Sequence, residues 1–250
     1  NATITGDSIT GTVNVYINNE LVGTTDIESK GEIQYNNNTL PVGEYNVIFE
    51  YLGDDNHSSL NSTPASFNVT RHPSSITIPT GNNAAYGETL IVTATLSDGN
   101  GVNLPGKNVN VKINGTDVGT VTSDSNGLIT YTNNTLNAGT YNFTFTFDGD
   151  ENYTDSSASN DTVNVDTKST TLTENIVTSV TYPDDEIISV KLTNDATSLN
   201  GKTVTLNIDG TAYTNTTNSE GVATFIIKGL SGGSHNYNFT FAGDSNYKAS

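Results

Sequence analysis

Apolar and polar residues alternate along this chain in short runs, and one such run occurs three times. The first copy puts Tyr45, Val47, Phe49 and Tyr51 on one face, and the second puts Tyr141, Phe143, Phe145 and Phe147 there. In the third copy the same face carries His235, Tyr237, Phe239 and Phe241. A period of two with aromatic bulk on one side predicts a half-buried antiparallel strand. Each copy then runs into a Gly-Asp-x-Asn turn, at residues 53–56, 149–152 and 243–246. The copies lie 96 and 94 residues apart, the length of one small β-sandwich.

The middle repeat supplies the template. Strands are expected at 75–79, 90–96, 108–113, 118–122, 128–131 and 162–165, besides the aromatic one. Turn clusters at 97–101, Asn114-Gly115 and 125–127 separate them, and no ten-residue segment has helical periodicity. In the third repeat Tyr182-Pro-Asp-Asp aligns with Tyr86-Gly-Glu-Thr, and Ile188, Val190 and Leu192 replace Val92, Ala94 and Leu96. The expected fold is all-β: three tandem Ig-like antiparallel sandwiches at 1–71, 72–167 and 168–250. The first lacks its opening strand and the last lacks its closing strand. Two accounts of these ends compete. The chain, which starts at Asn1, is a window cut from a longer array, or neighbouring molecules complete each other by strand addition.

The ordered motifs Tyr86-Gly-Glu, Gly106-Lys-Asn-Val, Asn114-Gly-Thr, Ser125-Asn-Gly, Leu136-Asn-Ala-Gly-Thr-Tyr and Phe147-Asp-Gly-Asp-Glu-Asn-Tyr carry a family likeness over the whole chain. Together they resemble the prokaryotic Ig-like repeats of adhesin-like surface proteins, particularly those of methanogenic archaea. The resemblance implies an extracellular stalk or fibre on a cell envelope and no enzyme activity. It supplies no ligand. One departure is His235, where the other copies have Tyr45 and Tyr141. In Ig-type sandwiches a tyrosine entering this strand forms a corner, its hydroxyl bonding back to the backbone. The third repeat must use His235 or Tyr237 for this, or lack the corner.

Composition narrows the function. Only 33% of residues are hydrophobic, yet they are concentrated at alternate strand positions, and 20 aromatics argue against disorder. The surface is uncharged and polar, with 41 Thr, 35 Asn and 23 Ser. A net charge of −18 with nine unclustered basic residues excludes nucleic acid as a partner and disfavours anionic lipid. Cysteine is absent, which removes disulfides, thiolate metal sites and thiol nucleophiles. No apolar run approaches 18 residues, so no direct membrane insertion is expected.

Candidate chemistry is sparse. Asp54, Asp55 and Asn56, Asp148, Asp150 and Asn152, and Asp244 with Asn246 cluster oxygens at the three turns, a candidate calcium set stiffening the joints. The competing reading is a turn in which Asp and Asn cap local backbone groups. No other cofactor is expected. Sequons at Asn37, Asn68, Asn114, Asn142 and Asn238 are candidate glycosylation sites in an exported chain. His57, His72 and His235 are isolated, without ligand spacing. Self-made crosslinks through Lys112 or Lys191 are disfavoured because strand parity points both outward, away from a dry core.

The leading expectation is a non-catalytic stalk segment at the cell surface, its partners being neighbouring Ig-like repeats of the same or another copy. Host or other cell-surface glycans or proteins are further candidate partners. The joints at 68–74 and 164–169 are short and free of glycine, which favours a semi-rigid rod. The first rival is a filament subunit joined by strand complementation at its open ends. The second is a carbohydrate-binding module, which requires Tyr16, Tyr35 and Tyr131 to point outward.

Overall fold

A computed structural model of the chain describes residues 1–80, 82–175 and 185–250. The alternating runs form strands arranged as three successive pairs of sheets, so the chain is all-β. The first pair uses β1 (Ala2–Thr3), β2 (Thr12–Ile17), β3 (Glu20–Asp26), β4 (Glu32–Ile33), β5 (Gly43–Tyr51), β6 (Leu60–Asn61) and β7 (Ala65–Val69). Here β1 pairs with β4, facing a sheet ordered β3-β2-β5-β6 with β7 also on β5.

The second pair uses β8 (Ser74–Thr77), β9 (Asn83–Ala85), β10 (Leu90–Asp98), β11 (Asn108–Ile113), β12 (Thr116–Thr122), β13 (Leu128–Asn133), β14 (Gly139–Phe147) and β15 (Ser156–Asp166). Its sheets are β13-β10-β8 and β12-β11-β14-β15-β9. The third pair uses β16 (Thr171–Asn175), β17 (Glu186–Asn194), β18 (Thr197–Ser198), β19 (Thr203–Ile208), β20 (Thr211–Thr216), β21 (Val222–Ile227) and β22 (Tyr237–Phe241). One of its sheets is centred on β17, with β16, β18 and β21, and the other is β20-β19-β22.

The same register recurs in all three. Val15 lies opposite Phe49, Val111 opposite Phe145, and Leu206 opposite Phe239. Alternate apolar residues of the short strand, such as Val109, Val111 and Ile113, are buried, while the intervening polar ones face out. The facing sheet adds Val92, Ala94 and Ile129 to the middle core, where Tyr131 tilts against Phe143 at 5.8 Å. Asn18, Asn114 and Asp209 start the hairpin turns with positive φ, a conformation that short Asn and Asp side chains tolerate. The first two hairpins carry a bulge, after Val15 and Val111. The third pairs without a register shift and has one residue fewer, part of the shortened repeat.

Spatially the chain resolves into two compact units. One comprises residues 1–75 with 97–103 and 147–156; the other comprises 76–96, 104–146 and 157–250. Within the first, the linker explains the grouping. His72 bridges Tyr153 in parallel, and the Pro73 carbonyl accepts the Gly99 N–H at 2.8 Å.

Several details differ from expectation. The last strand of the middle repeat is 11 residues long rather than four, because its polar Ser and Thr positions still suit the outer face of a ladder. A short strand, β9, lies parallel to it, pairing Asn83 with Asn164. Tyr237 has the expected parity but is 40% exposed, its hydroxyl drawn to the Glu174 carboxylate at 2.9 Å. The alignment of Tyr182 and Pro183 with Tyr86 lies outside the described residues. Ser250 exchanges two backbone hydrogen bonds with Phe241, beside the last aromatic strand.

Phe145 is fully buried at the centre of the middle core. Phe145→Ala is expected to cost about 3–5 kcal/mol, because the cavity adds to the lost transfer energy. Denaturant unfolding that left the midpoint of the middle repeat unchanged would contradict this packing.

Candidate functional site

The three Gly-Asp-x-Asn turns share one geometry. Gly53, Gly149 and Gly243 have φ of 89°, 80° and 82°. A Cβ at Gly243 would lie 2.9 Å from the Tyr247 carbonyl and the Ala249 nitrogen, so a side chain is excluded. The following Asp closes the turn. The carboxylate of Asp244 accepts the N–H groups of Asn246 and Tyr247, both at 2.9 Å, and Asp150 does the same for Asn152 and Tyr153. In the first copy Asp54 accepts the Asn56 N–H and contacts His57 Nδ1, both at 2.8 Å. The Asn56 N–H, with help from Tyr51 and His57, outweighs burial and holds the Asp54 carboxyl down at about 2.

A turn closed in this way fixes the next two residues, and these make the joint. The linker residue Lys168 donates its N–H to the Asn246 carbonyl at 2.9 Å and accepts from Lys248 N–H at 2.8 Å. His72 makes the same two bonds with Asn152 and Thr154, at 2.8 and 3.0 Å. A linker hydroxyl adds a third bond each time, from Thr170 to the Lys248 carbonyl and from Ser74 to the Thr154 carbonyl. Each linker is thus stitched in parallel to the turn of the repeat it introduces.

In the third copy the turn also reaches back to the middle repeat. Asn246 Oδ1 accepts the Ala138 N–H at 2.9 Å, and its Nδ2 donates to Asn137 Oδ1 at 3.2 Å. The Tyr247 ring meets Tyr86 edge-on, 5.6 Å between centroids. Lys202 Nζ lies 4.8 Å from the centre of the Tyr247 ring and 2.6 Å from Asp244 Oδ2. Lys168 adds an ion pair to Glu88 at 3.7 Å. Burial raises the Tyr247 phenol above its ordinary value. Burial also pushes the Asp244 carboxyl up, but the Lys202 bond and the backbone N–H groups outweigh it and hold it below 3.8. At about 1 kcal/mol per hydrogen bond and about 1 kcal/mol for the ring pair, the contact contributes a few kcal/mol.

Among the candidate calcium residues, Asp54, Asp150, Asp244 and Asn246 bond backbone groups. Asp150 and Asp244 cap their turns, Asn246 docks on the middle repeat, and Asp55 and Asp148 are exposed. Among the described residues no three acidic or imidazole groups converge on a metal-sized gap. The sequon residues Asn37, Asn68, Asn114, Asn142 and Asn238 are all exposed, although the side-chain Oδ1 of Asn114 accepts the Asn142 backbone N–H. Lys112 and Lys191 face solvent.

Tyr35 and Tyr131 face inward, half-buried, and the Tyr35 hydroxyl donates to the Val22 carbonyl. Tyr16 faces outward, but its hydroxyl is held by Glu50 at 2.8 Å.

The corner bond is present in all three repeats, made by tyrosine in the first two and by histidine in the third. Tyr45 donates to the Pro41 carbonyl and Tyr141 to the Asn137 carbonyl, each four residues back at 2.8 Å. His235 keeps the spacing, its Nε2 bonding the Ser231 carbonyl at 2.8 Å, while Nδ1 bonds Asp209. Sequence reasoning missed the Asp209 partner. The signal was available, since Asn18 with Tyr45 and Asn114 with Tyr141 change together to Asp209 with His235.

Tandem Ig-like β-sandwiches tied by turn-to-linker contacts define the class. The chain belongs to the bacterial Ig-like domain (group 3) family, whose model matches residues 1–70 and 76–166. No curated protein matches the chain. Among solved structures it is similar to a tetra-tandem repeat from the extending region of a large adhesion protein, at 18% identity and a TM-score of 0.42. That match covers 95% of this chain, which spans only 64% of the other. A 1.5-MDa bacterial ice-binding adhesin is 17% identical over 99% of this chain and 85% of its own, with a TM-score of 0.32. The Yersinia pseudotuberculosis adhesin InvE is 19% identical over 61% and 51%, with a TM-score of 0.33. No helix among the described residues is long and apolar enough to cross a membrane.

The Asp209–His235 pair is expected to make the stability of the third repeat depend on pH. The Asp209 bond, then the Ser231 carbonyl, raises the His235 pKa above its ordinary 6.5. Asp209 is in turn lowered from 3.8, first by His235 and then by the Asn236 N–H. The histidine contribution is therefore full below pH 6.5 and is lost as pH rises through the raised value. The aspartate contribution is present above 3.8 and is lost as pH falls through the lowered value. The third repeat is expected to melt lower at pH 8.5 than at 5.5, and His235→Tyr is expected to flatten that limb. Calorimetric scans at the two pH values decide it, and an equal decline in the variant would contradict the assignment.

Proposed function

We propose that this chain is a non-catalytic spacer segment of an adhesin-like protein displayed outside the cell, transmitting tension between what lies before and after it. The observation that carries this reading is the joint at Asn246 and Tyr247, where a turn of one repeat holds both the linker and the preceding repeat. A spacer works only if its joints resist bending, and here most joint bonds come from the Gly-Asp-x-Asn turn that recurs in each copy. The family membership supports the reading, as does the acidic, Asn- and Thr-rich surface, which suits an exported envelope repeat of the archaeal or bacterial kind. The exposed sequons leave room for glycans on that surface.

The test uses the absence of cysteine. Two spin labels on introduced cysteines, one in the middle repeat and one in the third, report the inter-repeat distance distribution. Asn246→Ala combined with Tyr247→Ala is expected to broaden that distribution while both repeats stay folded. The same narrow width in the double variant would mean that the turn does not set the stiffness, and the spacer reading would lose its main support.

A further inference from the structure

The hairpin of each repeat leaves one strand at the edge of a sheet: β3, β12 and β20 in turn. Proteins guard such edges against strand addition with bulges, charged side chains or a covering group. The first two edges are guarded. β3 carries Glu20 and Asp26, pairs through the bulge after Val15, and has its Val22 carbonyl covered by the Tyr35 hydroxyl at 2.8 Å. β12 pairs through the bulge after Val111, and the Asp117 carboxylate takes up the Gly119 N–H at 2.8 Å.

The third edge lacks all of these guards. β20 reads Thr-Ala-Tyr-Thr-Asn-Thr, six exposed residues without a charge, and it pairs with β19 without a register shift. The ladder fixes which of its backbone groups are open. Just past β20 the Thr217 N–H donates to the Lys202 carbonyl, at the start of the neighbouring strand, at 2.9 Å. Alternate residues 211, 213 and 215 therefore turn their backbone groups toward β19, and Ala212, Thr214 and Thr216 turn theirs outward. Asn215 Oδ1 accepts the Thr216 N–H at 2.8 Å, which closes that end. Among the described residues no side chain bonds the outward groups of Ala212 or Thr214.

We propose that β20 is a self-association edge, pairing antiparallel with β20 of a second copy of this chain across a two-fold axis at Tyr213. This register sets Ala212 of each copy against Thr214 of the other, and both pairs exchange backbone hydrogen bonds. The two Tyr213 side chains, each 36% exposed, then meet as a cross-strand aromatic pair. A second copy is the occupant this edge fits. Its open groups serve one another across a two-fold, and its lack of charge lets two chains of net charge −18 meet there. The edges at β3 and β12 would set acid near acid. The pairing adds no strand to a sandwich core, and it stands apart from the spacer reading because it uses none of the joint residues.

The experiment follows the mass of the whole chain by sedimentation equilibrium from about 0.01 to 1 mM, where small interfaces associate. The mass is expected to rise toward twice that of one chain, and more readily in higher salt, which screens the repulsion between acidic partners. Amide exchange at Ala212 and Thr214 is expected to slow about tenfold where nine chains in ten are paired. Thr214→Pro removes an open N–H that β19 does not use, and Thr214→Glu puts an acid on each side of the axis. Both variants are expected to remain single chains with the third repeat folded; if the proline disturbs the hairpin, the glutamate variant carries the test. A single-chain mass at every concentration would overturn the proposal, as would association that survives Thr214→Glu. Protection of the two amides at single-chain mass, on adding an unrelated threonine-rich peptide, would assign the edge to a foreign strand and overturn it too.

Discussion

The structure depends on one small constraint, a carboxylate that accepts the next backbone N–H groups beside a glycine with no room for a Cβ. In a thin sandwich the turns are exposed, and exposed turns are usually where order is lost. At residues 149–153 and 243–247 the turn is instead held closed, one oxygen of its Asp accepting two successive N–H groups. The rigidity passes outward. The carbonyl of the Asn and the N–H beyond the Tyr become a fixed receptor for the incoming linker, which continues into the opening strand of the sandwich. The acidic turn therefore also serves as the plate on which the linker is fixed.

This arrangement fits the composition. A chain with 33% hydrophobic residues has little apolar surface to spend on interfaces. The cores take the Val, Ile and Leu of the short strands and the Phe of the aromatic strands, while Ile91, Ile187 and Ile226 stay exposed on the outer faces. The joints are built from backbone bonds, linker hydroxyls, a pair of Asn side chains, a Tyr pair and two lysine contacts. Such polar joints stay soluble whenever they open, and a surface of net charge −18 discourages misplaced contacts between repeats.

How much of this was legible beforehand follows from what kind of signal each feature leaves. The sheets were legible because a period of two with aromatic bulk is local, and the three copies confirm one another. Hairpin turns at Asn114-Gly115 and Asp209-Gly210 were legible for the same reason. The role of Asn246 was not, because its partners Asn137 and Ala138 are over a hundred residues away and carry no unusual chemistry. Nor could parity alone expose Tyr237, whose position answers to Glu174 on another sheet. The length of β15 was underestimated because runs of Ser, Asn and Asp read as loop until a neighbouring strand offers them a ladder.

The differences among the copies carry the remaining argument. Where the hairpin residue is Asn, the corner residue is Tyr, and a neutral hydroxyl suffices to bond the carbonyl four residues back. Where it is Asp209, the corner is His235, whose two ring nitrogens serve the carbonyl and the carboxylate together. Replacing only one member would leave either a carboxylate facing a hydroxyl-bearing ring or an imidazole lacking the acceptor that holds its proton. In these three copies the two sites differ together while the bond to the carbonyl four residues back is kept. The same logic applies at the turn, where His57 stands in the place of Tyr153 and Tyr247 and bonds the capping Asp54. The three copies thus keep the corner bond and the turn's capping bonds while differing in the ionisable side chains beside them, and the Asp209–His235 pair sets the third copy apart.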